Sequence, residues 1–289
     1  MLHNNFISVC SQIQSRGRIL SLEHPVVMGI LNATPDSFYN KGRDSNIDGL
    51  LQTADKMLVE GAIILDIGGA STKPGQPIIS SVEELQRVIP VIGALRSRFP
   101  DVWLSVDTYN SSVAHEAVMA GADIVNDVSG ARIDNEMLQV VAKLGVPYIA
   151  MHMQGTPQTM QVDPRYEDAA TEVRNYLFDL NEQCIAAGIK DVILDPGFGF
   201  GKTLEHNYQL LRTMHTLRMA GRPILAGISR KSIVCKALQV DPENALNGTT
   251  ALHMLALQQG ASILRVHDVK EARQCIRLFE LYNDTAAFN

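Results

Sequence analysis

A closed (β/α)8 TIM barrel of the α/β class is the fold that this 289-residue chain predicts. Short, almost wholly apolar runs alternate eight times with longer amphipathic ones. Several of the amphipathic runs end in glycine just before the next apolar run: Gly61, Gly121, Gly145, Gly188, Gly221 and Gly260. Glycine there accepts the left-handed geometry of a helix stop. Apolar runs without alternation suit parallel strands covered on both faces, and a barrel of this length forms one domain. An open doubly wound sheet shares the alternation, but its glycine fingerprint follows the first strand. Here "NATPDS" stands in that place.

Residues 1–25 read as an N-terminal extension or hairpin over the barrel bottom, and 26–283 as the barrel. "VVMGIL" at 26–31 is the first strand, followed by a loop and a helix near 46–60. "AIILDI" at 62–67 and a helix at 83–98 form the second unit. "VWLSV" at 102–106 with a helix at 110–120, and "ADIVND" at 122–127 with a helix at 134–144, form the third and fourth. "VPYIAM" at 146–151 precedes a long helix near 167–187, and "DVILD" at 191–195 one near 205–219. "PILAGI" at 223–228 is followed by helical sequence to about 259, and "ASILRV" at 261–266 by a last helix near 268–281.

Composition narrows the function. The formal charge is -6 with no basic cluster, which excludes a nonspecific nucleic-acid binder. No segment approaches the length of a membrane span, and the N-terminus lacks a signal-peptide core. Cys10, Cys184, Cys235 and Cys275 are far apart without zinc-finger spacing, so reduced thiols in the cytoplasm are expected.

Chemistry gathers at the strand ends, which meet at one face of a barrel. Asn32, Asp66, Asp107, Asn126 with Asp127, Met151 with His152, Asp195, Ser229 with Arg230 and Lys231, and Arg265, His267 and Asp268 stand there. A lone aspartate in such a place is often a helix cap, above all Asp66 and Asp268. Asn126 has a plain alternative in satisfying loop backbone. His152, between two methionines, reads first as a packed core histidine. Lys231 and Arg265 require either an anionic ligand or a neighbouring aspartate.

"ILDPGFGFGKT" at 193–203 ends like a nucleoside-triphosphate loop, but the glycine that a Walker loop needs falls on Pro196. Pro196 keeps Asp195 out of helical geometry, and the glycines let Phe200 fold over whatever Asp195 holds. A carboxylate under an aromatic face suits a flat, amidine-like heterocycle.

"MGILNATPDSF" at 28–38, "DIGGASTKPG" at 66–75, "SVDT" at 105–108, "NDVSG" at 126–130, "MHMQGTPQTM" at 151–160, "DPGFGFGK" at 195–202, "GISRKS" at 227–232 and "RVHDV" at 265–269 follow in order. In these motifs, from about Val26 to Leu281, the chain resembles the dihydropteroate synthase family of pterin-binding barrels. The resemblance implies condensation of 6-hydroxymethyl-7,8-dihydropterin pyrophosphate with p-aminobenzoate, giving 7,8-dihydropteroate and pyrophosphate in folate biosynthesis. It implies a pterin pocket of Asp107, Asn126, Met151, Asp195, Phe200, Gly227 and Lys231. Pyrophosphate is then held by Asn32, Arg265 and His267, with Mg²⁺ as cofactor at Asn32. Thr34, Pro35, Asp36, Phe38, Thr72, Lys73, Pro74 and Ser232 serve the mobile loops and p-aminobenzoate. Asp107, Asp195, Lys231, Arg265 and His267 carry the chemistry, in a sulfonamide-sensitive homodimer.

The chain departs from the pattern in its loops. Ala70 stands where the family usually has Glu, and Lys73 where it has Arg, which removes a planar fork. Asn40, Lys41, Arg43 and Tyr109 are further changes. An intact pterin floor under an altered p-aminobenzoate lid is expected. The alternatives are a non-catalytic pterin-binding paralogue, a pterin-dependent methyltransferase domain, and a sugar-phosphate barrel, which gives Phe200 no flat ring to cover.

Overall fold

The structure, a computed structural model, describes residues 9–33, 43–70 and 79–283, with side chains in the second stretch from 47 onward. Strands β1 (Gln12–Ser15) and β2 (Arg18–Ser21) form an antiparallel hairpin. The barrel strands are β3 (Val26–Asn32), β4 (Ile64–Gly68), β5 (Trp103–Asp107), β6 (Ile124–Asp127), β7 (Tyr148–Met151), β8 (Val192–Asp195), β9 (Leu225–Ala226) and β10 (Ile263–Val266). Their order is β8-β7-β6-β5-β4-β3-β10-β9, with every pair parallel. A parallel bridge from Leu194 to Ile224 joins the two ends and closes the cylinder.

Around it lie α1 (Arg43–Val59), α2 (Ser81–Arg98), α3 (Ser111–Ala120), α4 (Met137–Leu144), α5 (Ala169–Ala187), α6 (Leu204–Thr213), α7 (Ser232–Leu238), α8 (Leu246–Gln258) and α9 (Val269–Asn283). The six stop glycines all have positive φ, from 66 to 128. Helix starts are set by capping: Ser80 accepts from Glu83 N, Asp168 from Ala170 N and Thr171 N, and Thr203 from His206 N.

Three expected elements break up. The seventh strand, expected over 223–228, shrinks to two residues, because Pro223 offers no N–H to a ladder. Helical sequence to 259 divides where Gln239 turns left-handed (φ 55) and Pro242 follows. The helix expected over 205–219 tightens after Thr213 into a 3-10 segment, Met214–Ala220.

The strand period of two sorts the interior into layers. Met28, Ile64, Trp103, Ile124, Ile149, Ile193, Leu225 and Ile263 point inward as an apolar floor, sealed from below by Ile13 and Leu22 at the hairpin. Two residues further along the same strands stand Asp66, Asn126, Met151, Asp195, Gly227 and Arg265. The alternate residues, among them Leu65, Leu104, Val125 and Leu264, face outward into the helices. An apolar floor carrying a polar layer thus follows from strand pleating alone.

Candidate active site

Arg265 is the hub of the polar layer. Its Nε donates to Asp66 Oδ2 at 2.6 Å and its NH2 to Asp107 Oδ2 at 2.7 Å. Asn126 Nδ2 donates to the same Asp66 oxygen at 3.0 Å. Asp66 is therefore an interior anchor and not the helix cap that its position suggested. The second oxygens of Asp66 and Asp107 are buried without a partner among the described residues. Burial pushes the Asp107 carboxyl up, against the pull of Arg265, and the charges of Asp66 and Glu84 push in the same direction.

Asp195 faces the same interior. Its Oδ1 accepts from Gly197 N at 2.7 Å, and burial raises its pKa while Lys231 opposes the rise. Lys231, at the N-cap of α7, places Nζ 3.0 Å from Phe198 O and 4.6 Å from the centre of the Phe200 ring. A side chain at Gly227 would sit 3.3 Å from that Nζ and 3.9 Å from Asp195 Oδ2, so glycine keeps the cation and the carboxylate in reach of each other. Burial brings the Lys231 pKa down to about 8, with Asp195 resisting.

Met151 and Phe200 are buried at the mouth with Tyr109, Val128, Met153 and Met160, and Ala70 packs against them. Asn32 ends β3 exposed, opposite Gly68. His267 is exposed at the rim; its Nδ1 meets Ser229 Oγ at 3.1 Å. Desolvation of the ring and then the Arg265 charge bring its pKa down to about 4. Ser232, half-buried, is the first residue of α7. Thr34, Pro35, Asp36, Phe38, Thr72, Lys73 and Pro74 lie outside the described residues, as do Asn40, Lys41 and the side chain of Arg43.

The Lys-Thr pair that suggested a phosphate loop has other duties. Lys202 is 3% exposed, and its Nζ lies 3.0 Å from His152 Nδ1, 3.2 Å from His152 O, and 2.9 Å from both Gly197 O and Phe200 O. Thr203 caps α6. His152 is the packed histidine expected: burial and then the Lys202 charge lower its pKa to about 2. Asp127 turns outward and serves a turn, accepting from Ser129 N, Ala131 N and the Tyr148 hydroxyl. Asp268 pairs with Arg230 through two bonds, at 2.8 and 2.7 Å.

Residues 28–267 match the family described as Pterin binding enzyme. The chain is 45% identical to dihydropteroate synthase of Escherichia coli K12 over 268 residues, covering 92% of this chain and 94% of that one. The chain belongs to the dihydropteroate synthase family. Haemophilus influenzae dihydropteroate synthase is 42% identical, with 93% and 98% covered. A Yersinia pestis dihydropteroate synthase solved with a sulfonamide drug complex superposes with a TM-score of 0.89 at 46% identity, covering 95% of this chain and all of that one. A Xanthomonas albilineans dihydropteroate synthase with 4-aminobenzoic acid gives 0.89 at 40% identity, covering 95% and 99%. The barrel mouth with its polar layer is accordingly the candidate active site in a dihydropteroate synthase family fold.

Proposed function

We propose that this chain condenses 6-hydroxymethyl-7,8-dihydropterin pyrophosphate with p-aminobenzoate to give 7,8-dihydropteroate and pyrophosphate. The observation that carries the reading is the convergence of Asp66, Asp107, Asn126, Asp195, Lys231 and Arg265 on one interior above the apolar floor, with Phe200 beside them. Carboxyl oxygens left vacant among the described residues favour an N–H-rich ring. Asp195 accepts from the amidine edge of the pterin, Lys231 donates to its carbonyl side, and Asn126 and Met151 form the pocket wall. Gly227 leaves the space and Phe200 covers the ring.

The carbon–oxygen bond at the pterin methylene breaks, and its electron pair leaves on the diphosphate. The ring donates electron density to the carbon, and Asp107 stabilises the charge that builds there. Arg265 and His267 bind the leaving anion. The amine lone pair of p-aminobenzoate then forms the carbon–nitrogen bond, and the nitrogen loses one proton to the released diphosphate or to water. Ser232 faces the benzoate carboxylate through its backbone N–H, and the resemblance assigns the exclusion of water to the loops that carry Thr34, Pro35, Asp36, Phe38, Thr72, Lys73 and Pro74.

Among the described residues no cluster of three His, Cys, Asp or Glu forms a protein-only metal cage. Mg²⁺ commonly takes few protein oxygens and completes its shell with phosphate and water. The exposed amide of Asn32 at the diphosphate end fits that donor set. When bound, Mg²⁺ supplies positive charge to the diphosphate oxygens. The four free cysteines suit a cytoplasmic setting. The exposed apolar side chains of Leu255 on α8 and Leu278 on α9 suit a homodimer.

Incubation with both substrates and Mg²⁺, followed by mass detection of dihydropteroate, tests the function. Asp195→Asn should weaken binding of the pterin diphosphate by roughly 2–5 kcal/mol, the cost of breaking a buried charged contact. Absence of product from the wild-type protein, with pterin binding retained, would instead favour the non-catalytic paralogue that Ala70 and the changed loops suggest.

A further inference from the structure

The glycine loop after β8 has each carbonyl from Gly197 to Gly201 engaged by a side-chain donor. Gly197 O and Phe200 O accept from Lys202 Nζ at 2.9 Å, and Phe198 O from Lys231 Nζ at 3.0 Å. Gly199 O accepts from Gln161 Nε2 at 2.7 Å, and Gly201 O from the Tyr166 hydroxyl at 2.8 Å. On its other side, Gly199 N donates to Asn207 Oδ1 at 2.7 Å. Gly199 is thus gripped through both its C=O and its N–H, by Gln161 in the loop after β7 and by Asn207 on α6.

Where that peptide sits gives the grip a function. Gly199 is left-handed (φ 85), and a side chain on it would stand 3.6 Å from Lys231 Cδ and 3.7 Å from Ser232 Oγ. It therefore floors the space over Lys231 and Ser232, next to the Phe200 ring. Lys202 and Asn207 are buried, so the loop depends on them to fold. Gln161 differs in being exposed: it reaches in from the surface to hold one peptide.

We propose that Gln161 is a positioning residue for the second, aromatic amine substrate, acting through the Gly199 peptide, which it holds in register with Phe200 and Ser232. The proposal rests on the synthase reading above. Asp195 and Lys231 are tied to this loop at Gly197 and Phe198, and Asn126 lies on β6, so those pterin contacts persist when the Gln161 bond is lost, and the effect falls first on the part of Gly199 that adjoins Ser232.

Steady-state kinetics with each substrate varied, on wild type, Gln161→Ala, Gln161→Glu and Gln161→Lys, decides the matter, with calorimetry of the pterin diphosphate alongside. Gln161→Ala should raise KM for p-aminobenzoate about five- to tenfold, with kcat and pterin affinity changed less than twofold. Gln161→Glu, which sets a carboxylate against the carbonyl, should raise that KM further. Gln161→Lys restores a donor and should recover most of the loss. Equal KM values in all four proteins, or equal losses for both substrates, would overturn the proposal. Wild-type protein that binds pterin diphosphate yet forms no product would overturn the synthase reading, and this proposal with it.

Discussion

At the scale of single residues, the site was legible wherever strand pleating decides orientation. Asp107, Asn126, Asp195 and Arg265 could be placed because each lies at the end of an apolar run, where a barrel turns polar groups to its mouth. Asp66 looks like a cap in sequence, since one aspartate carries no sign of its partner, and Arg265 lies 199 positions away. Lys202 was equally opaque: only the curl of the glycine loop shows that its ammonium faces carbonyls and not phosphate. Lys231 yields the sharpest test at this scale. Its pKa of about 8 keeps it charged below that pH. On the proposed reading the charged form donates to the pterin, so the part of the affinity that Lys231 supplies should hold nearly steady below pH 7, where the raised Asp107 carboxyl adds its own pH dependence to both wild type and a Lys231 variant. Above about pH 8 it should fall, approaching a tenfold loss per unit. Calorimetry across this range on wild type and Lys231→Met checks it: the variant should bind weakly and lack the fall above pH 8. A wild-type affinity independent of pH would exclude the lysine contact.

At the scale of elements, eight strands and their helices followed from the apolar runs, and the boundaries shifted by a few residues where ladder bonding begins later than apolar sequence does. The exceptions had local causes, as at Pro223 and Pro242. What sequence could not show was how the loop after β8 is held, because its partners come from the loop after β7 and from α6. Gly197 illustrates the constraint. It is left-handed (φ 69), and a β-carbon there would lie only 1.9 Å from His152 O. Gly145 is also left-handed (φ 66) but opens on empty space. Gly197→Ala should therefore lower stability by about 3 kcal/mol or more, and Gly145→Ala by about 1 kcal/mol. Urea unfolding of the two variants measures the difference, and equal costs would show that the loop yields freely.

For the whole molecule, the two ends of the barrel carry separate tasks. The bottom is closed by the hairpin, whose Ile13 is 1% exposed among the floor side chains. The mouth carries the charges. Ile13→Ala removes packing from the floor without touching a group in the polar layer. It should cost about 2–4 kcal/mol of stability and leave kcat/KM within twofold of wild type under native conditions. Thermal unfolding with initial rates measured well below Tm separates the two quantities. A large loss of kcat/KM in a fully folded variant would mean that the floor transmits strain to the polar layer. The chain's hairpin was expected at the bottom, but its use as a hydrophobic stopper emerged only from the packing of Ile13 and Leu22 against the inward strand residues.

The fully engaged carbonyls of the 197–201 loop also bear on inhibitor chemistry. A compound decorated with extra amide or hydroxyl donors aimed at that wall has to share each oxygen with a donor already supplied from within the protein. Such groups would exchange their hydration for weaker, shared bonds. Potency on this side of the cleft is better sought through aromatic overlap with Phe200 than through polar ornament.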